Sequence, residues 1–158
     1  MISIEKCAER HVEGVLNITL AEEQIPFAGT ANEFLADKDL DGHNNTTHLH
    51  IIKFDDDIIG FFKIDLAYGS MHSFCPDNGL GLRSFVIDAK QQGKGFDTAA
   101  VKALLVYLRE NYPCYSAVYL TVNCKNVGAH MCYLKGGFAD TGEQYLGGTA
   151  GPQYIMRG

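Results

Sequence analysis

The stretch LRSFVIDAKQQGKGFDT, residues 82–98, is the part of the chain from which the rest can be read. It begins as a strand (Arg83-Ser84-Phe85-Val86-Ile87) and passes a polar corner, Asp88-Ala89-Lys90-Gln91. It then turns through Gln92-Gly93-Lys94-Gly95 into a helical pattern that starts at Phe96. Strand, glycine turn and helix N-terminus together form a device for holding an anion. Glycines let backbone N–H groups approach without a Cβ in the way, and the first helical turn adds unpaired donors and the positive end of the peptide dipole. The glycines by themselves fit equally a tight corner with no ligand. The residues downstream decide between the two.

A chain of 158 residues is long enough for one domain with a real core, and the whole of 1–158 is read as one. Hydrophobic residues make up 46% and charged ones 20%, a globular balance. The net charge of −6 argues against nucleic acid, whose phosphates need a basic face, and is compatible with a cationic small molecule. Five cysteines, with no Cys-x-x-Cys spacing, predict reduced thiols rather than a disulfide framework or a zinc knuckle. The start, MISIEKCAERHVEG, lacks an apolar signal core, and no apolar run reaches membrane-spanning length. A cytoplasmic protein with no membrane partner is expected.

Taken in order, Ile2 to Lys6 alternates as a strand. Ala8 to Gln24 is expected as a helix with Val12, Val15, Leu16, Thr19 and Leu20 on one face, ended by Pro26. Asn32 to Leu40 predicts a further short helix. Thr46 to Phe54 and Ile58 to Leu66 read as strands, with Asp55-Asp56-Asp57 as their hairpin turn rather than a metal site. Ala67 to Asn78 carries Gly69, Ser70, Pro76 and Asn78 and is expected to be a mobile loop. Phe96 to Asn111 is apolar on two sides, as a helix packed on two sides would be, and Pro113 stops it. Val118 to Val122 alternates as a strand. Asn126 opens a last helix that closes at Gly136-Gly137, with Val127, Met131 and Leu134 as the stripe expected to face the core. Phe138 to Leu146 and Gln153 to Met156 complete the strands.

Asn126 and Tyr133 stand seven residues apart and so share a helix face about two turns apart. Spacing alone allows them to grip a polar ligand or to serve as a helix cap and a packed aromatic. Together, QQGKGF after a strand and LTVNCKNVGAHMCYLKGGF after a long helix resemble the GNAT family of N-acetyltransferases. The second segment fills the pattern Asn-x-x-Ala-x-x-x-Tyr-x-x-x-Gly-Phe with Asn126, Ala129, Tyr133, Gly137 and Phe138. The stretch LAEEQIPFAGTANEFLAD is more weakly similar to the diamine and polyamine branch of that family.

The resemblance implies a mixed α/β fold, a twisted and mostly antiparallel sheet of about six to seven strands flanked by about four helices. It implies acetyl-CoA as acyl donor, held by the backbone of Phe85, Val86 and Ile87, by the turn from Gln92 through Gly93, Lys94, Gly95, Phe96 and Asp97 to Thr98, and by Asn126 and Tyr133. The implied reaction is direct attack of a primary amine on the thioester, with a polyamine or diamine among the acceptors. A homodimer is compatible with it. Tyr133 is the implied proton donor to the leaving thiolate, and a backbone N–H at Val86 or Ile87 the oxyanion donor. One position departs from the family pattern: aligned through Gln92 and Gly95, the turn's last small residue is Asp97, whose charge would repel a pyrophosphate unless it points away. The alternative register, with Lys90 first and Gly95 last, is disfavoured by its distance from the strand. No carboxylate stands on the central strand before Asp88; Glu22, Glu23 and Asp65 are open to two readings, contributors acting through water or ordinary surface acids, and no base is assigned. His48-x-His50 reads as exposed strand histidines rather than a metal site. The rival function is a non-catalytic acyl-CoA sensor. A P-loop hydrolase fails because Gly-Lys is not followed by Ser or Thr.

Overall fold

The computed structural model describes residues 1–25, 29–36 and 46–158. Seven strands form one sheet: β1 (Ile2–Lys6), β2 (Thr47–Phe54), β3 (Asp57–Asp65), β4 (Gly79–Ile87), β5 (Ala117–Asn123), β6 (Ala139–Tyr145) and β7 (Gln153–Arg157). Their order across the sheet is β1-β2-β3-β4-β5-β7-β6, antiparallel throughout except for the parallel neighbours β4 and β5. The described residues contain five α-helices: α1 (Val12–Leu16), α2 (Ala31–Ala36), α3 (Tyr68–Met71), α4 (Phe96–Asn111) and α5 (Val127–Gly136). This is the mixed, mostly antiparallel α/β architecture expected.

Two cores lie on opposite faces of the sheet. Ile52, Phe62, Ile64, Leu80 and Leu120 face α4 and α5, where Ala100, Val101, Leu104 and Leu108 meet them. Ile51, Phe61 and Val86 point the other way, onto Val15, Ile18 and Phe34. Successive strand side chains alternate between faces, so a sheet covered on both sides buries both members of the Ile51-Ile52 and Phe61-Phe62 pairs.

α4 has its expected bounds. Gly95, at φ 77°, is its N-cap, and Tyr112 follows its last residue. The closing of α5 at Gly137, in the left-handed region at φ 119°, is also as expected.

Several local expectations are corrected. The segment from Ala8 to Gln24 is not one helix: a 3-10 turn, Glu9–His11, leads into α1, which ends at Leu16, and a second 3-10 turn spans Glu22–Gln24. A tertiary contact stops it. The Thr19 N–H donates to Asp88 Oδ1 at 3.4 Å, and Ala89 donates back to the Thr19 carbonyl at 2.7 Å. Leu16, assigned to the buried face, is exposed. Of the short helix expected from Asn32 to Leu40, α2 covers the part up to Ala36, and the remainder lies outside the described residues.

On α5 the apolar stripe is reversed: Val127, Met131 and Leu134 are exposed, while Cys132, Tyr133 and Gly136 are buried. A Cβ at Gly136 would collide with Val101, so the small residue lets α5 approach α4 along that side. The segment Ala67 to Asn78 is packed rather than loose. It holds α3, buries Tyr68 and Cys75, and presses the Tyr68 ring onto Gly81, where any Cβ would clash.

The strand histidines are not exposed either. His50 is fully buried, stacked on Phe62 at 4.9 Å, and lies 3.4 Å from the Tyr112 hydroxyl. That hydroxyl also meets His48 Nδ1 at 2.7 Å. Among the described residues no group of three or more His, Cys, Asp or Glu side chains is placed to hold a metal, and no helix is long and apolar enough to cross a membrane.

Candidate active site

The site begins where two parallel strands part. β4 and β5 pair only through Gly79–Ala117, Leu80–Val118 and Gly81–Tyr119. Beyond those pairs β4 continues to Ile87 and β5 to Asn123 with a gap between them. On its other edge β4 carries a bulge: Arg83 pairs with Lys63 and Val86 with Phe61, so Ser84 and Phe85 together oppose Phe62. Ser84 takes a left-handed φ of 55° to do so. A bulge bends its strand and re-aims the side chains around it, and this one sits beside the split.

The Asp88 N–H donates to the Ile59 carbonyl at 2.7 Å. In an antiparallel ladder that alternates donors, this turns the Ile87 N–H away from β3 and toward the gap. Of the two expected oxyanion donors, Ile87 is therefore the one whose amide faces the open side.

A cleft of about 560 Å³ fills the gap. It brings together Phe85, Ile87, Gln92, Asp97, Asn126 and Tyr133 from the expected residues. The side chain of Val86 is instead buried in the opposite core, and Phe96 packs on Phe54 at 4.6 Å. Gly93, Lys94, Gly95 and Thr98 form the rim turn rather than the wall. Gly93 and Gly95 have φ of 80° and 77°, and the space where each Cβ would stand is empty. Their backbone is thus bare toward solvent, as an anion cradle requires. Gln92 Nε2 donates to the Ile87 carbonyl at 3.1 Å and ties the turn back to the strand. Lys94 Nζ reaches Gln91 Oε1 at 3.1 Å.

Asp97 does not point away. It lines the cleft, and its Oδ1 accepts the Thr98 N–H at 2.9 Å. Asn126 caps α5 by accepting the Ala129 N–H at 3.4 Å. Tyr133 stands one helical turn past Ala129, its ring 5.9 Å from Phe85 and 5.5 Å from Phe138. Burial pushes its phenol well above the ordinary tyrosine range, so it is neutral but a weaker acid than an exposed tyrosine. Cys132, also on the wall, is pushed up to about 12 by burial and then by the Asp97 charge, and is held as a neutral thiol.

The opposite end of the cleft contains residues that the sequence reading did not single out. Tyr68, His72 and Arg83 line it. The His72 ring packs between Tyr68 at 4.5 Å, Phe74 at 5.0 Å and Tyr145 at 5.3 Å. Burial lowers its pKa, the Asp65 charge partly offsets that, and Arg83 lowers it further; the imidazole is neutral at pH 7. Asp65, read as a surface acid or a contributor through water, is buried. Its Oδ1 accepts the Ala67 N–H at 2.9 Å and its Oδ2 faces Arg83 Nη1 at 3.4 Å. Glu22 is exposed and is not on the cleft wall. The signal for His72 was available in principle: it is the one histidine in a segment of turn-forming residues directly before the central strand.

A split parallel pair beside a bulge, with a glycine turn at the helix entry, defines an acyltransferase-type cleft. The model of the Acetyltransferase (GNAT) family matches residues 13–138, and the chain belongs to that family. It is an N-acetyltransferase with acetyl-CoA as co-substrate. A spermine/spermidine N(1)-acetyltransferase of Bacillus subtilis (strain 168) is 27% identical over 145 residues, 90% of each chain. The fold is shared with the aminoglycoside acetyltransferase AAC(6')-Ib in complex with coenzyme A, at TM-score 0.78 and 19% identity, covering 100% of this chain and 94% of that one. It is shared too with the spermidine N-acetyltransferase of Vibrio cholerae in complex with CoA and spermine, at TM-score 0.73 and 16% identity, covering 99% and 94%.

Proposed function

We propose that the chain, as one catalytic unit over 1–158, acetylates the primary amine of a small molecule by direct attack, with a diamine or polyamine as the acceptor class its relatives' names support. The observation that carries the catalytic reading is the gap between β4 and β5 beside the Ser84 bulge, with Tyr133 on its wall. When bound, acetyl-CoA supplies an acetyl thioester whose C–S bond breaks as the amine's C–N bond forms.

The chain's own residues do the rest. On the side of the gap the backbone from Phe85 through Val86 to Ile87 has no strand partner and offers an edge for an extended amide chain, and the Ile87 N–H faces the developing oxyanion. The turn from Gln92 to Thr98 presents bare backbone to a pyrophosphate, and Asn126 holds the start of α5 beside it. The Tyr133 hydroxyl donates a hydrogen bond to the departing sulfur; its raised pKa keeps the proton on the phenol, so the sulfur leaves as a hydrogen-bonded thiolate and takes its proton from water. His72, neutral on the cleft wall, accepts the proton that the amine nitrogen sheds. All five cysteines are free thiols, which supports a cytoplasmic place of action.

The test is an acceptor panel with acetyl-CoA, reading release of free thiol. Turnover with any primary amine supports the enzyme. Binding of acetyl-CoA with no turnover of any acceptor returns the sensor reading.

A further inference from the structure

The end of the cleft proposed for the acceptor presents, among the described residues, a half-exposed guanidinium, backed by buried Asp65, where a plain polyamine site would present carboxylates. Among the described residues on the cleft wall, Arg83 and Asp97 are the two charged at neutral pH, and Asp97 belongs to the turn at the far end. Arg83 lies four residues before Ile87 on β4, on the far side of the Ser84 bulge, and so outside the segment proposed to hold the donor. Its guanidinium is not consumed by its partner. Asp65 is 5% exposed, has one oxygen taken by the Ala67 N–H, and meets Arg83 through Nη1 alone at 3.4 Å. The Arg83 side chain is 42% exposed. A guanidinium has five N–H donors in a rigid fork, so the buried carboxylate aims the group and leaves donors turned to the cleft. Ser84 and the neutral His72 are its polar companions on the wall.

We propose that Arg83 anchors an anionic group of the acceptor, so that the preferred substrate is an amine that also carries a carboxylate, a diamino acid rather than the diamine left when that carboxylate is removed. Arg and carboxylate pair bidentately, and in a partly enclosed cleft such a contact discriminates strongly against an acceptor lacking the anion. The inference rests on the acetyltransferase reading and replaces the plain diamine or polyamine acceptor with one that also bears a carboxylate.

The test compares acceptors that differ only in the carboxylate: lysine against cadaverine, and ornithine against putrescine, with spermidine alongside, reading thiol release from acetyl-CoA. The expected result is a kcat/KM at least about tenfold higher for the carboxylate-bearing member of each pair. Arg83→Gln should erase that ratio through a KM that rises for lysine and ornithine but not for cadaverine and putrescine. Arg83→Lys, which keeps a cation beside buried Asp65, serves if the glutamine variant does not fold, and should shrink the ratio by losing the fork. Equal or better rates for cadaverine, putrescine or spermidine overturn the inference while leaving the acetyltransferase standing, as does an equal loss for both members of a pair. If no acceptor turns over, calorimetry of lysine against CoA-loaded protein decides: absence of binding overturns it as well.

Discussion

The Thr98 N–H donates to Oδ1 of Asp97 at 2.9 Å, within the first turn of α4. One amide of the turn proposed to cradle the pyrophosphate is therefore already engaged by a resident carboxylate, and that carboxylate lies on the cleft wall. Charge at a helix N-terminus stabilises the helix by some tenths to about 1 kcal/mol, yet the same charge opposes a pyrophosphate. Asp97→Asn should tighten acetyl-CoA by roughly three- to tenfold in calorimetry, with a small loss in Tm. Asp97→Gly should act in the same direction with a larger loss in Tm. Weaker binding in both variants would mean that the carboxylate serves the cradle by ordering it.

Tyr133→Phe keeps the ring against Phe85 and Phe138 and removes only the hydroxyl. The expected result is a fall in kcat on the order of a hundredfold, with acetyl-CoA affinity within about threefold of the wild type. Full turnover by the variant would assign the sulfur's hydrogen bond to water or another side chain.

His72→Gln tests the proton acceptor. In the wild type, kcat/KM should hold as pH falls through the ordinary histidine value of 6.5 and decline only below it, because burial lowers the His72 pKa and keeps the imidazole neutral there. The variant should lose roughly ten- to a hundredfold at neutral pH and lose that limb of the profile. Added imidazole should restore part of the rate. A packing role for the ring predicts neither the change in profile nor the rescue.

His50 sets an acid limit to stability. Its pKa is lowered from 6.5 to about 3, first by burial, against a bond to the His48 carbonyl that works the other way. Unfolded, it takes up a proton below pH 6.5; folded, it does not until about pH 3. Its contribution is thus fully present above 6.5 and is lost as pH falls, at up to about 1.4 kcal/mol per unit, for a total of some 4–5 kcal/mol. Urea melts between pH 7 and 4 should show the decline, and His50→Phe, which keeps the stack on Phe62, should flatten it. A variant as acid-sensitive as the wild type would locate the effect in other groups.

Local chemistry made some elements readable and tertiary contact hid others. The ends of α4 and α5 follow from Gly95, Pro113 and Gly137, whose backbone demands are their own. The face of α5 could not be read that way. Val127, Met131 and Leu134 are its bulkiest apolar residues, but α4 comes close along the side where Gly136 permits it, and the bulk is left outside. The break after Leu16 depends on Asp88, far along the chain, which captures the Thr19 amide. In the cleft, the wall from Phe85 to Asp97 was legible because one continuous segment supplies it. The grouping at the other end was not, because Asp65, His72 and Arg83 meet only once β3, α3 and β4 are assembled.

The sheet is in effect a book whose two covers share a short spine. β1 to β4 form one cover and β5, β7 and β6 the other, joined edge to edge through the three pairs from Gly79 to Gly81, while α4 binds both covers along one side. A donor held extended in the gap, as proposed, would add a further strand's worth of stitching to that spine. Occupancy should therefore stiffen the whole molecule in twist, and amides on both covers, far from any atom of the ligand, should slow their hydrogen exchange together.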